Sequence, residues 1–261
     1  MSASMLEGIL TCPAHWFLER EAGGSGASHQ AANIGQLVHA LAERVAKADL
    51  APELSVLMDH VDAVWDRLAF RTPWSKAREH ERVKAALAKF LTWQQGNPRE
   101  LIGVEATFAA EVELPDGERV RLRGFADRLE LDGDGRVVVV DLKTGRGKLT
   151  GPAVAGHVQL AVYQLAVDAG GATEVAGSTP GSGGAELLQL GLEDGAPEPV
   201  VQRQARHETG GPEREALLAS LEHAALLVRA EQFPAVPGPQ CDRCEFLAIC
   251  PAKSAGAVVS Q

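Results

Sequence analysis

No apolar run in this chain reaches the roughly 18 residues that a membrane span requires. The opening MSASMLEGIL has neither a basic n-region nor a sustained apolar stretch. The expectation is therefore a cytoplasmic protein with no secretion signal and no membrane partner. Basic excess is also missing, since 25 Lys and Arg stand against 35 Asp and Glu for a formal charge of −10. That balance argues against capture of nucleic acid by the whole surface. No G-x-x-x-x-G-K-[ST] string occurs, and Gly145-Arg146-Gly147-Lys148 lacks the full glycine spacing. It reads as a basic loop, and the chain is not expected to hydrolyse ATP alone. The disorder signature of low hydrophobicity with high charge is absent as well. Hydrophobic residues make up 45% and charged residues 23%, so most of the chain should fold. With 261 residues, one large domain or two small ones are possible, and we favour one.

What is present changes its period along the chain. Residues 4–20 and 31–48 carry helical apolar spacing, the second through Ile34, Leu37, Val38, Leu41 and Val45. Residues 58–70 and 76–95 read the same way, with Pro73 between them and Gly96-Asn97-Pro98 as a stop. Strands are expected over Val104 to Leu114, Arg119 to Leu131 and Arg136 to Lys143, joined by Pro115-Asp116-Gly117 and Asp132-Gly133-Asp134-Gly135 turns. Val137 to Val140 is apolar on both faces, as in a central strand covered by helices on each side. A helix over 156–169, a flexible loop over Gly170 to Gly184, strands near 186–192 and 198–204, and a helix near 212–232 complete the reading.

A period of two puts Asp141 and Lys143 on one face of the third strand, with Leu142 on the other. Asp127 lies on the preceding strand, which a hairpin brings alongside. Two carboxylates beside an ammonium suit a hard divalent ion such as Mg²⁺. Such an ion lowers the pKa of bound water and neutralises phosphate charge, while Lys143 orients the nucleophile or stabilises developing charge. Phosphodiester hydrolysis is the chemistry this permits; a surface ion pair at a strand end is the plainer alternative. Between Arg119 and Lys148, eight Lys and Arg stand against five Asp and Glu, a local excess of three cations where DNA could be met.

Four strings occur in order: Gly35-Gln36-Leu37-Val38-His39, Gly124-Phe125-Ala126-Asp127-Arg128, Asp141-Leu142-Lys143-Thr144-Gly145 and Gln159-Leu160-Ala161-Val162-Tyr163. In these the sequence resembles RecB-like PD-(D/E)XK nucleases. The resemblance implies a restriction-endonuclease-like α/β core, a mixed central sheet flanked by helices. It implies that His39 joins Asp127 and Asp141 as a ligand to Mg²⁺ or Mn²⁺, with Lys143, Gln159 and Tyr163 completing the catalytic set. Gln159 and Tyr163, four apart, share a helix face where they can hold a phosphate or brace the site. Glu105 resembles an acidic residue that some relatives place near the metal and ranks behind the others. Ala126-Asp127 replaces the family's Pro-Asp. Arg128, Arg146 and Lys148 are the candidate DNA contacts.

Cys241-x2-Cys244-x5-Cys250 gathers three thiols near one end, and Cys12 near the other would complete a four-thiolate set for Zn²⁺ or an iron–sulfur cluster. Thiol count does not choose between them. The resemblance to AddB/AdnB-type nuclease domains, with one cysteine upstream and three downstream of the core, implies a structural [4Fe-4S] staple. The same resemblance implies a single domain over 1–261: a helical part to about 100, a core over about 101–210, and a C-terminal helix and cysteine tail over about 211–252. It also implies single-stranded or duplex DNA ends as substrate and a UvrD/Rep-type helicase, in cis or in trans, as partner in break resection. A catalytically inactive nuclease-fold scaffold and a zinc-ribbon binding module are the competing readings.

Overall fold

The computed structural model describes residues 1–23, 30–70, 72–177 and 180–252. The chain divides into two compact units. The larger comprises Ser28–Phe108 and Phe125–Arg206; the smaller comprises Met1–Ala27, Ala109–Gly124 and His207–Gln261.

In the larger unit, helices α3 (Gln30–Ala46), α4 (Leu54–Trp65) and α5 (Pro73–Gly96) precede the sheet. The third of these starts cleanly because Thr72 and Ser75 cap each other's backbone amides, with Pro73 at a position that needs no N–H donor. Strands β1 (Glu100–Glu113), β2 (Arg119–Leu131), β3 (Val137–Lys143), β4 (Ser182–Gln189) and β5 (Val200–Gln204) form one sheet in sequential order. β2 runs antiparallel to β3, with Arg128 opposite Val140. β3 runs parallel to β4, with Lys143 opposite Gln189, and β5 returns antiparallel. A parallel pair needs a crossover, and α7 (Val158–Asp168) supplies it.

Alternation along β3 then separates two cores. Val138, Val140 and Leu142 pack with Val38, Leu57, Val61, Leu87 and Phe90 from α3, α4 and α5. Val137 and Val139 pack on the other face with Leu160, Tyr163 and Val167 of α7. The β3 strand is covered on both faces, which is why its valines read as a continuous run and not as an alternation. The expected mixed sheet flanked by helices is the fold observed.

A buried charge network ties three parts of the sheet. Glu130 and Glu186 are 0% and 1% exposed. Arg99 pairs with both carboxylates, meeting Glu130 at 2.8 Å through Nε. Arg128 pairs with Glu130 and holds its guanidinium 5.0 Å from the Trp93 ring, while Arg203 meets Glu186 at 3.1 Å. Charges this deep persist only when paired.

In the smaller unit, α1 (Ala3–Thr11) and α2 (Pro13–Arg20) pack as neighbours, and α9 (Pro212–Arg229) lies against α1. Phe17 stacks on Phe233 at 4.6 Å, and the Ala14 amide donates to the Pro234 carbonyl. Here the expected single helix over 4–20 is corrected. Pro13 has no N–H, so Cys12 ends α1 in extended conformation and opens α2.

Two further expectations change. α4 starts four residues before 58, because Leu54, Leu57, Val61 and Trp65 make the apolar stripe, and it ends at residue 65. The expected flexible loop over 170–184 contains a short helix, α8 (Thr173–Ala176), and the start of β4; residues 178 and 179 lie outside the described residues. Glycine is required at residue 184, where φ is +110°, and at residue 183 a Cβ would stand 2.6 Å from Asp132 Oδ2, so that side chain would have to shift. Close approach and backbone conformation account for these glycines within a strand.

Replacing Arg99 by Met leaves Glu130 and Glu186 each short of a partner in the interior. The expected loss is about 3–5 kcal/mol of unfolding free energy, read by urea titration. A loss below about 1 kcal/mol would show that the network contributes little beyond its burial.

Candidate active site

The site forms where β2, β3, α3 and α7 of the larger unit converge. Regular β2–β3 pairing begins at Arg128 and Val140, and Asp127 stands immediately beyond it. Its Oδ2 accepts from the Leu142 amide at 2.6 Å, so the side chain continues the ladder where the backbone leaves it. Its Oδ1 lies 3.3 Å from His39 Nδ1.

His39 reaches this point because of the residue four before it on α3. A Cβ on Gly35 would stand 2.9 Å from Thr144 Oγ1, so glycine lets the helix approach the end of β3. One turn later the imidazole meets the carboxylate. The G-x-x-x-H spacing thus has a packing cause. Opposite it, the Leu190 amide donates to the Lys143 carbonyl at 2.8 Å, and a Cβ on Gly191 would fall 2.0 Å from the Thr144 carbonyl oxygen.

Glu105 completes a triad. One ligand atom each from His39, Glu105 and Asp127 can be chosen so that all lie within 4.8 Å of one another, the separation of donors around one ion. Glu105 has φ of +47°, unusual outside glycine, within the continuous strand β1. Asp141 was expected in this set and sits beside it in a second one. It is 3% exposed, with Oδ2 2.8 Å from Lys143 Nζ in an ion-pair contact that is not a directed hydrogen bond.

Lys143 Nζ also donates to Gln159 Oε1 at 3.0 Å, Gln159 Nε2 to the Tyr163 oxygen at 2.7 Å, and the Tyr163 hydroxyl to Asp141 Oδ1 at 3.4 Å. The four side chains therefore close a ring. Gln159 and Tyr163 brace Lys143 and Asp141 from α7.

The electrostatics follow from crowding. Burial lifts the Glu105 pKa, and the Asp127 charge adds to it. Burial lifts Asp141 as well, against the opposing pull of Lys143. For His39, burial is the largest influence and opposes protonation, but Asp127, Asp141 and Glu105 together outweigh it and raise the pKa. Burial and the Asp141 charge push the Tyr163 phenol up, which keeps its proton available for donation. Acids held toward their neutral form by one another regain charge when a cation arrives. The oxygen-rich donor set and the Asp141 oxygen without a directed hydrogen bond fit a hard divalent ion.

The candidate DNA contacts fare differently. Arg128 is corrected: it is 3% exposed, paired to Glu130 and set over Trp93, so it has no free face for a phosphate. Arg146 is half exposed and tied to Glu79 at 3.0 Å and Glu193 at 3.4 Å. Lys148 is exposed. Glu79, Arg82 and Glu193 had not been singled out. The only signal for Glu79 and Arg82 was the dense charge of Arg78-Glu79-His80-Glu81-Arg82, which is ordinary for a helix surface, and Glu193 had none.

In the smaller unit, Cys12, Cys241, Cys244 and Cys250 all line one cavity of about 360 Å³. The Val236 amide donates to Cys12 Sγ and the Gly238 amide to Cys241 Sγ, each at 3.4 Å. Among the described residues no three thiols fall within 4.8 Å of one another, so they are not gathered as tightly as around a single ion.

A mixed five-stranded sheet between helices, with carboxylates and a lysine at adjacent strand ends, is the architecture of a phosphodiester-cleaving nuclease. The family model of the PD-(D/E)XK nuclease superfamily matches residues 1–251, and the chain belongs to that superfamily. Nucleases of this superfamily use divalent metal ions. Among solved structures, one titled "Crystal structure of SSO0001" is 16% identical with a TM-score of 0.48, over 97% of this chain and 86% of that one. No curated protein matches.

Gly191→Ala must displace the Thr144 backbone, and we expect it to cost about 1–3 kcal/mol in urea unfolding. Gly145→Ala, whose Cβ meets nothing within 4 Å, serves as the comparison and should stay within about 0.5 kcal/mol of wild type.

Proposed function

We propose that the chain is a divalent-metal-dependent DNA nuclease, the nuclease module of a RecB-like helicase–nuclease that acts on DNA ends in break resection. The observation that carries the reading is the convergence of His39, Glu105 and Asp127 within ligand distance of one another. Asp141 and Lys143 stand beside them on β3.

In this reading His39, Glu105 and Asp127 would hold Mg²⁺ or Mn²⁺, with Asp141 nearby on β3. The bound ion supplies a water of lowered pKa and a positive charge for the scissile phosphate. Lys143, steered by Gln159 and by the Asp141 carboxylate, is the cation aimed at the attacking oxygen or at charge developing on phosphate. Tyr163 keeps Gln159 turned toward the lysine. Arg146 and Lys148, on the loop that follows β3, are the phosphate contacts outside the centre. Asp127 has a second task, since its bond to the Leu142 amide holds the end of β3 that carries the lysine.

The retention of every polar member of the set supports an active enzyme over a scaffold. Expected behaviour is specific. Asp141→Ala and Lys143→Ala should each lower cleavage of end-labelled DNA with Mg²⁺ or Mn²⁺ by about 10²-fold or more, with circular dichroism unchanged. Cleavage by Asp141→Ala equal to wild type would reject the assignment. His39→Ala should weaken Mn²⁺ binding, measured by electron paramagnetic resonance, without needing turnover as a readout.

The reading extends to a structural [4Fe-4S] cluster on Cys12, Cys241, Cys244 and Cys250. Four thiols lining one cavity support it, as do the two amides directed at sulfur. Purified without oxygen, the protein should be brown with broad visible absorption and about four irons per chain. A colourless protein carrying one zinc would reject the cluster.

A further inference from the structure

Beside the catalytic strand lies a cavity of about 500 Å³, a size that suits a small organic ligand. Ile34 and Val38 of α3 and Val83 and Ala86 of α5 give it apolar walls, and Thr144, Gly145 and Arg146 form the side that leads back to Lys143. Gly35, one turn before His39, is also in the wall. The cavity is thus continuous with both elements that carry the candidate active site.

Glu79, Arg82 and Arg146 stand in its polar rim, and Glu193 and Arg78 adjoin them through ion pairs. Glu193 meets Arg82 at 2.7 Å, Arg78 at 3.2 Å and Arg146 at 3.4 Å. Glu79 meets Arg82 at 2.5 Å and Arg146 at 3.0 Å. The cluster keeps one positive charge in excess. The carboxylates occupy guanidinium N–H groups that a phosphate oxygen can also take. Lys89 holds the loop that bears Glu193, through the Leu192 carbonyl and the Asp194 carboxylate at 2.7 Å each. A few residues up α5, Trp74 is 70% exposed with Arg78 placed 5.7 Å from its ring. An exposed indole beside cations is a surface on which an unpaired base stacks.

We propose that this cavity is a nucleotide subsite: it takes the base of a nucleotide close to the scissile bond, unstacked from its strand, while Arg146 and Arg82 exchange Glu79 and Glu193 for the phosphate. Apolar walls favour a flat base and the cationic rim favours the anion that follows it. Trp74 offers the stacking surface for a further base, so the occupant is part of a polynucleotide strand and not a free nucleotide. The inference rests on the nuclease reading and adds the place where the substrate strand is gripped.

The test uses the full chain in EDTA with a single-stranded phosphorothioate oligodeoxynucleotide carrying 2-aminopurine at successive positions. One position should change its emission on binding. Gly145→Phe, which adds a ring where a Cβ meets nothing within 4 Å, should abolish that change. Arg146→Ala should weaken binding by anisotropy about tenfold. Glu193→Gln should strengthen it more than Asp134→Asn, the same charge change at the β2–β3 turn. If wild type binds and cleaves the unmodified strand with Mg²⁺ but no position responds, or Gly145→Phe keeps the response, the subsite is wrong and the nuclease reading stands. If wild type neither binds nor cleaves, the nuclease reading fails and takes the subsite with it.

Discussion

The Asp127 carboxylate is shared between two demands, one from the sheet and one from α3. One oxygen takes the Leu142 amide at 2.6 Å, and the other faces the His39 imidazole at 3.3 Å. The first contact finishes the β2–β3 ladder and sets the direction in which β3 delivers Lys143. The second draws α3 onto the sheet, where Gly35 leaves room against Thr144. A buried backbone N–H needs a partner, and a side chain that supplies one becomes part of the scaffold. The residue at the chemical centre is therefore also a structural one.

Around that carboxylate the larger unit separates two kinds of buried charge. Glu130 and Glu186 are neutralised by arginines that reach them directly, and they belong to the interior. Glu105, Asp127 and Asp141 have less cationic compensation, and burial with mutual repulsion lifts two of them. The contrast distinguishes a stabilising network from a cluster of acids that a cation would relieve. Both lie on the same sheet, and β2 carries a member of each, Asp127 and Glu130, three residues apart.

Much of this was legible in the chain itself. The β2 bounds agree with the alternation of arginine and apolar residues, and the Val137–Val140 run announced a strand covered on both faces. Asp141, Lys143, Gln159 and Tyr163 come together because periods of two and of four place them on single faces of a strand and a helix. What escaped depends on distant partners. Arg128 looked like a DNA contact by its place after Asp127, yet Glu130 and Trp93 claim it. Glu105 ranked low because nothing local announces a left-handed residue within a strand. Glu79 and Glu193 are 114 residues apart, and only the folded sheet gives them common arginines.

The backbone at Glu105 has a bearing on how such a protein changes over generations. With φ at +47° in a side-chain-bearing residue, the fold holds a conformation that glycine adopts freely, at a cost of order 1–3 kcal/mol. A glycine there would relax the backbone and remove the carboxylate that stands beside His39 and Asp127. Selection for robustness and selection for turnover thus pull this position in opposite directions. A lineage that no longer needed the cluster of His39, Glu105 and Asp127 would have a thermodynamic reason to lose this acid early.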